Sequence, residues 1–164
     1  MAETKSTQIT NGEATPRVIN NAGGIPHWIT WDYTVVTSAL VTTDTVVLAK
    51  IPAGCKLLVG PSFFGVNATQ GASTHIDIGY QAYTAIDGTT TALDADGIIN
   101  GRDGAIAVTS SLGADVAGAK TISGIADFSD AAEDVTIYMT ALDAGGTYDG
   151  DIGDVFGGAF CCIK

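Results

Sequence analysis

The stretch Asp44-Thr-Val-Val-Leu-Ala-Lys-Ile-Pro-Ala-Gly-Cys-Lys-Leu-Leu-Val59 decides the fold class of this chain. Its two ends are rich in β-branched and other apolar residues, a composition that favours strands over a helix. Between them, Pro52 presets φ for a tight turn and Gly54 can adopt a positive φ. The stretch therefore predicts a strand, a tight turn and a second strand.

The segment 74–80 carries a second strand signal, because polar and apolar residues alternate along it. Ile76, Ile78 and Tyr80 fall on one face of a strand, and His75, Asp77 and Gly79 fall on the other. The alternation predicts a strand with one buried and one polar face.

Strands are also predicted at 134–142 and 154–163, and the Gly157-Gly158 pair in the latter indicates a bulge or close packing. Predicted strands recur at intervals of roughly ten residues and are joined by turns rich in Gly, Asp and Thr, which is typical of an antiparallel sandwich or barrel. We predict a single all-β domain over residues 27–164. For residues 87–120 a long loop or a pair of short strands is predicted, with a short helix around 92–99 as the alternative.

Residues 1–26 differ from the rest of the chain. Thr, Ser, Asn, Gly and Pro dominate, the apolar spots are Val18, Ile19 and Ile25, and a cluster of turn residues ends at Pro26. This composition predicts an extended N-terminal arm that orders on a partner, with a frayed terminus as the alternative.

The composition restricts the classes of partner. The 164 residues include 18 Asp and Glu against 7 Lys and Arg, a net charge of −11, and only 15% are charged, against about 25% in average domains. Nucleic acid and anionic membranes are excluded as partners of the bulk surface, because both need cations on the protein. The polar residues 1–10 do not predict a signal peptide, and the sequence shows no apolar run long enough to predict a membrane span.

The three cysteines are Cys55, Cys161 and Cys162. Their odd number and irregular spacing predict small buried side chains in strands and synthesis in a reducing cytoplasm. A single bridge from Cys55 to either Cys161 or Cys162 is the alternative.

Residues that could carry catalysis are scarce. The chain has two histidines, His27 and His75, and three glutamates, two of them in the arm, and it lacks the common nucleophile, metalloprotease and phosphate-binding motifs. We predict no enzyme activity and no cofactor. Two loops rich in Asp and Gly are interpreted as turns, with a calcium site at Asp149, Asp151 and Asp154 as the alternative.

Aromatic residues cluster directly after the arm, at Trp28, Trp31 and Tyr33. On a strand, Trp31 and Tyr33 share one face and Trp28 lies on the other. Packing in the core is the first interpretation, and contact with a partner protein or stacking against a sugar is the second.

The sequence also resembles small virion structural proteins of tailed bacteriophages. The resemblance covers roughly residues 44–142, and it rests on the 43–54 segment, interpreted as a hairpin, on Ile76-Asp-Ile-Gly-Tyr80, on Asp94-Ala-Asp96 and on the strand at 135–139. It implies a jelly-roll-like sandwich that decorates the outer capsid surface as a homotrimer and binds the major capsid protein. The partner-binding residues are then expected in the arm and among Trp28, Trp31 and Tyr33. Another virion component, such as a head-fibre base or tail protein, and a carbohydrate-binding module remain as alternatives.

Overall fold

A computed structural model of the chain describes residues 3–5, 26–36, 40, 44–67, 74–103, 109–111, 121–122, 124–143 and 153–164. All regular elements within these ranges are β-strands. In chain order they are β1 Glu3–Lys5, β2 His27–Thr34, β3 Thr45–Ile51, β4 Lys56–Val66, β5 Thr74–Tyr80, β6 Tyr83–Thr84, β7 Thr90–Thr91, β8 Asp94–Asp103, β9 Thr109–Ser111, β10 Thr121–Ile122, β11 Ile125–Asp127, β12 Val135–Asp143 and β13 Val155–Ile163.

The strands form two large sheets and one small hairpin. The first sheet has the order β1-β3-β12-β5-β8, and the second has the order β10-β11-β4-β13-β2 with β9 also paired to β4. Strands β6 and β7 pair only with each other within these ranges. One core cluster takes side chains from both large sheets, including Leu48 and Ile78 from the first and Phe64 and Phe160 from the second. The chain is therefore an antiparallel β-sandwich of jelly-roll type, as predicted.

The turn after β3 differs from the expectation of a hairpin. Pro52 and Gly54 form the predicted turn, in which Gly54 has φ 75° and the Cys55 N–H donates to the carbonyl of Pro52 at 3.2 Å. However, β3 pairs with β12 in the first sheet and β4 pairs with β13 in the second. The hairpin interpretation is wrong, because this turn carries the chain across the core from one sheet to the other.

The alternative of a helix around residues 92–99 is also wrong. Residues 94–103 form β8, which pairs with β5 through two register shifts. The shift between Ile78 and Tyr80 coincides with Gly79, where a Cβ would lie 2.1 Å from the carbonyl oxygen of Asp94. The start of β8 therefore crosses directly over the outer face of β5 at a position that only glycine leaves open.

Strand β5 is buried on both faces rather than one. Ile76 and Ile78 lie in the core as predicted, and Asp77, on the opposite face, is also buried. Asp77 accepts a hydrogen bond from the Gly101 N–H at 2.7 Å, so its carboxylate is satisfied by the bulged part of β8.

Part of the predicted arm returns to the sandwich. Glu3–Lys5 forms β1 and pairs in parallel with Thr45–Val47 at the edge of the first sheet. An unpaired edge strand presents free N–H and C=O groups, and β1 covers part of this edge. Val18, Ile19 and Ile25 lie outside the described residues.

Candidate interaction surface

Strand β2 separates the three aromatic residues that the sequence brings together. Trp31 and Tyr33 point into the core and are 3% and 8% exposed, whereas Trp28 points outward and is 53% exposed. The predicted alternation is confirmed, and so is core packing for Trp31 and Tyr33. Trp28 alone of the three offers surface to a partner.

The indole of Trp31 is held tightly in the core. Its ring lies 5.7 Å from that of Phe64 and 5.8 Å from that of Phe160, between centroids. Gly158 on β13 makes this packing sterically feasible, because a Cβ there would lie 2.8 Å from the Trp31 ring and 2.4 Å from the carbonyl oxygen of Phe63. The predicted close packing at the glycine pair is therefore present, and it fixes the register of β2, β13 and β4.

A second aromatic pair lies on the outer face of the same sheet. Trp28 on β2 contacts Phe63 on β4, with ring centroids 6.3 Å apart and planes inclined by 47°. Their contact crosses β13 above two small residues, since Cys161 pairs with Trp28 and Ala159 pairs with Phe63. Phe63 is 38% exposed, while Cys161 and Ala159 are covered. We call Trp28, Phe63, Ala159 and Cys161 the aromatic patch.

A bulge in β4 sets the position of Phe63. The Ser62 hydroxyl donates to the carbonyl of Leu58 at 2.6 Å and accepts from the Cys161 N–H at 2.9 Å. The register of β4 against β13 shifts at this point, between Ala159 and Cys161. The buried hydroxyl therefore replaces a ladder partner and directs Phe63 toward Trp28.

The face beside the aromatic patch is flat. Gly157 on β13 pairs with Gly65 on β4 and with Asp32 on β2, and Val155, two residues before it, has an exposed side chain. Exposed rings next to small residues form a contact area that a flat protein surface can cover, and exposed aromatic patches are typical of protein interfaces.

The first sheet carries a groove on its outer face. The groove has a volume of about 310 Å³. Its lining residues come from β3, β12 and the segments around β8, and they are Thr45, Val47, Gln81, Leu93, Ala95, Tyr138 and Thr140. Burial, reinforced by the charges of Asp94 and Asp96, raises the pKa of the Tyr138 phenol. The phenol therefore stays neutral at physiological pH, as a hydrogen-bonding group and not as a base.

An acidic group lies on β8 next to this groove. Burial and the hydrogen-bonded side chain of Asp96 raise the pKa of Asp94, and Asp96 also accepts a hydrogen bond from the Asn100 amide. Within the described ranges, no three His, Cys, Asp or Glu side chains are grouped so that they could hold a metal ion. Asp94 and Asp96 thus interact with each other, and Asp96 also interacts with Asn100.

Of the three residues of the alternative calcium site, the structure describes only Asp154. Asp154 is buried directly before β13, and its backbone carbonyl accepts a hydrogen bond from the Val35 N–H at 2.9 Å. Asp149 and Asp151 lie outside the described residues.

The described part of the chain contains no helix long and apolar enough to cross a membrane.

All three cysteines are buried, as predicted, and they are free. Neither of the alternative bridges from Cys55 is formed. Burial raises the pKa of the Cys55 and Cys161 thiols, so both are held in the unreactive protonated form.

The fold is shared with a viral protein. A chain in the structure of the capsid of Ralstonia phage GP4 superposes with a TM-score of 0.66 at 12% sequence identity, over 99% of this chain and 98% of that chain. The infectious bursal disease virus VP2 subviral particle gives a TM-score of 0.42 at 16% identity, over 90% of this chain and 35% of that chain. The Gt strain of the same virus gives 0.41 at 16% identity, over 90% and 34%. No protein-family model and no curated protein matches the chain.

Proposed function

We propose that this chain is a non-enzymatic structural protein of a virion, and specifically a decoration protein on the outer surface of a phage head. The observation that carries the proposal is the shared fold with a chain of a phage capsid, which extends over 99% of this chain and 98% of the other. A match along both whole chains favours a common architecture over a shared subdomain.

The charge of the chain supports an outer position. A net charge of −11 is repelled by packaged DNA, which itself carries one negative charge per roughly 1.7 Å of helix axis. An acidic protein of this kind is therefore more stable on the outside of a filled head than inside it.

Two parts of the chain are proposed to contact the major capsid protein. The first is the aromatic patch, in which Trp28 and Phe63 can act as anchors, since large aromatic residues supply much of the binding energy of protein interfaces. The second is the predicted N-terminal arm of residues 1–26, with Val18, Ile19 and Ile25 as its apolar contacts. An arm that orders on binding covers a large surface at modest affinity per unit area.

The protein is proposed to act as a homotrimer. Three linked copies raise the effective concentration of each contact, so weak arms and patches together bind tightly. A trimer that binds the expanded capsid lattice better than the unexpanded one stabilises the expanded lattice by the difference in binding free energy.

The proposal is tested with shells assembled from the major capsid protein of the virus that encodes this chain. Purified protein is added to expanded shells, and bound protein is separated by sedimentation. We expect saturable binding and a higher temperature of shell disruption. Absence of binding to such shells contradicts the proposal.

A matched pair of variants tests the aromatic patch in the same assay. Trp28→Ala should weaken binding by about tenfold or more, a typical effect of removing an aromatic anchor. Val36→Ala removes a side chain that is 67% exposed but lies outside the patch, and it should bind like the wild type. Equal binding by all three proteins would exclude the patch from the interface.

The exposed Trp28 ring favours a second candidate, a sugar-binding module. Thr30 and Asp32 lie on the same outward face of β2, where they could accompany a ring stacked on Trp28. Titration with oligosaccharides while tryptophan emission is recorded separates the candidates, because the decoration protein should show no change. A third candidate, a head-fibre base or tail component, is separated by the number of copies per virion, which is hundreds for a shell protein and tens or fewer for the others.

A further inference from the structure

Ile86 is the most exposed of the large apolar side chains in the described part of the chain, at 73%. It lies at the tip of the small hairpin formed by β6 and β7. Single exposed apolar residues are common on protein surfaces. Ile86 differs from most such residues because it lies on a turn of fixed geometry and because acidic residues lie on the same part of the surface.

The turn has a fixed geometry. The Ala85 N–H donates to the carbonyl of Thr89 at 2.8 Å, and the Gly88 N–H donates to the carbonyl of Ala85 at 2.9 Å. Gly88 has φ 84°, as expected for a three-residue hairpin loop with glycine in the left-handed region. The Asp87 carboxylate accepts from both the N–H and the hydroxyl of Thr89, at 2.9 and 2.6 Å.

The turn is also fastened to the body of the sandwich. The Ile86 N–H donates to the carbonyl of Asp130 at 2.8 Å, and the Ala132 N–H donates to that of Thr84 at 2.9 Å. Below the hairpin, the buried ring of Tyr83 packs edge-on against Phe128, with centroids 6.0 Å apart. Ile86 is therefore held in one position, and its burial by a partner would require little ordering of the loop.

Three carboxylates belong to the turn and to the segment on which it is held. Asp87 follows it directly. Asp130 accepts a hydrogen bond from the Tyr83 hydroxyl at 3.0 Å, and Glu133 accepts one from the Thr84 N–H at 2.9 Å. All three acidic residues are exposed, and segments 83–91 and 128–134 contain no Lys or Arg. An apolar tip on an acidic base fits an apolar pocket with a basic rim.

We propose that residues 85–89, which we call the Ile86 turn, form a preformed docking point whose isoleucine enters an apolar pocket rimmed by Lys or Arg on the major capsid protein. This inference rests on the proposed function. It adds a contact site that is separate in the sequence from the aromatic patch and the arm.

The test compares the full-length protein with Ile86→Ser in the binding assay on expanded shells. Ile86→Ser should bind about tenfold more weakly or worse, as expected for loss of an interface anchor. Its melting temperature should change by less than about 2 °C, because an exposed side chain contributes little to the core. Val36→Ser is the matched control, since it removes a comparably exposed apolar side chain elsewhere, and it should bind like the wild type.

A second variant tests the charged base of the turn. Asp87→Asn, Asp130→Asn and Glu133→Gln together keep the hydrogen-bond acceptors and remove three charges. This variant should bind several-fold more weakly in 50 mM salt and should lose most of the salt dependence that the wild type shows.

The outcomes distinguish the two proposals. If the wild type fails to bind the shells, the proposed function is wrong and the inference falls with it. If the wild type binds and Ile86→Ser binds equally well, the inference alone is wrong. Equal weakening by Ile86→Ser and Val36→Ser also contradicts it, since that result indicates general surface stickiness.

Discussion

The two neighbouring glycines of β13 should respond oppositely to the same substitution. At Gly158 an added methyl would lie 2.4 Å from the carbonyl oxygen of Phe63, whereas real Cβ contacts stay above 3.0 Å, so the strands must separate by at least 0.6 Å (3.0 − 2.4). At Gly157 the nearest atom is the carbonyl oxygen of Trp31 at 3.7 Å, an ordinary contact. Gly158→Ala should therefore destabilise the protein and Gly157→Ala should not.

The magnitudes follow from the geometry. Overpacking of this kind costs about 1–3 kcal/mol, and disturbance of the ladder between β13 and β4 adds about 1 kcal/mol. Replacing glycine by alanine lowers the conformational entropy of the unfolded chain, which offsets about 0.4–1 kcal/mol of this cost. We expect Gly158→Ala to lower the free energy of unfolding by about 2–3 kcal/mol, or about 5–10 °C in melting temperature. Gly157→Ala should be neutral or stabilising by up to about 1 kcal/mol.

Equilibrium unfolding in urea, followed by circular dichroism, measures both variants against the wild type. The assay needs no partner, so it tests the register of β2, β13 and β4 directly. A Gly158→Ala protein within about 0.5 kcal/mol of the wild type would refute the close packing. Equal destabilisation by both variants would refute the assignment of the two glycines to opposite faces.

Three further predictions use other parts of the fold. Trp31→Ala should cost about 3–5 kcal/mol of unfolding free energy, as for large core aromatics, whereas Trp28→Ala should cost less than about 1 kcal/mol. Acrylamide should quench the emission of a Trp31→Phe protein more strongly than that of a Trp28→Phe protein. Hydrogen bonds from the Ser129 side chain and backbone, with a smaller effect of Lys56, lower the pKa of Asp127 to about 2. The ionised carboxylate therefore stabilises the folded protein above the unfolded pKa of 3.8, and this stabilisation disappears as the pH falls through 2. In urea unfolding, Asp127→Ala should be less stable than the wild type at pH 7 and equally stable below pH 2. Because burial raises its pKa, the Cys55 thiol should react with a disulfide reagent far more slowly in the native protein than in urea, and equal rates would contradict its placement.

The sequence predicts the class of fold because strand signals are local. Alternation at Ile76 and Ile78, the Pro52 turn and the glycine pair of β13 each depend on a few neighbouring residues, and all of them appear in the structure. The pairing of β3 and β4 with different sheets is not local. Consecutive residues of β3, such as Val47 and Leu48, are both buried although they lie on opposite faces of the strand. The burial pattern therefore does not indicate which sheet β3 will join.

The candidate surface could be predicted only in part, for the same reason. The alternation in β2 places Trp28 opposite Trp31, and this is readable from the sequence. The contact of Trp28 with Phe63 depends on β13 lying between two strands that are distant in the chain, and on a bulge at Ser62. The burial of Asp77 cannot be predicted from the sequence, because a carboxylate favours exposure and its hydrogen-bond partner, the Gly101 N–H, belongs to another strand.

The central claim is that this chain is an outer component of a phage head, and a cryo-electron-microscopy reconstruction of purified virions tests it most directly. The account predicts density for this β-sandwich on the outer surface of the shell, grouped in threes, with the aromatic patch and the Ile86 turn facing the major capsid protein. Virions that lack the chain, or that carry it in the interior or only in the tail, would contradict the account.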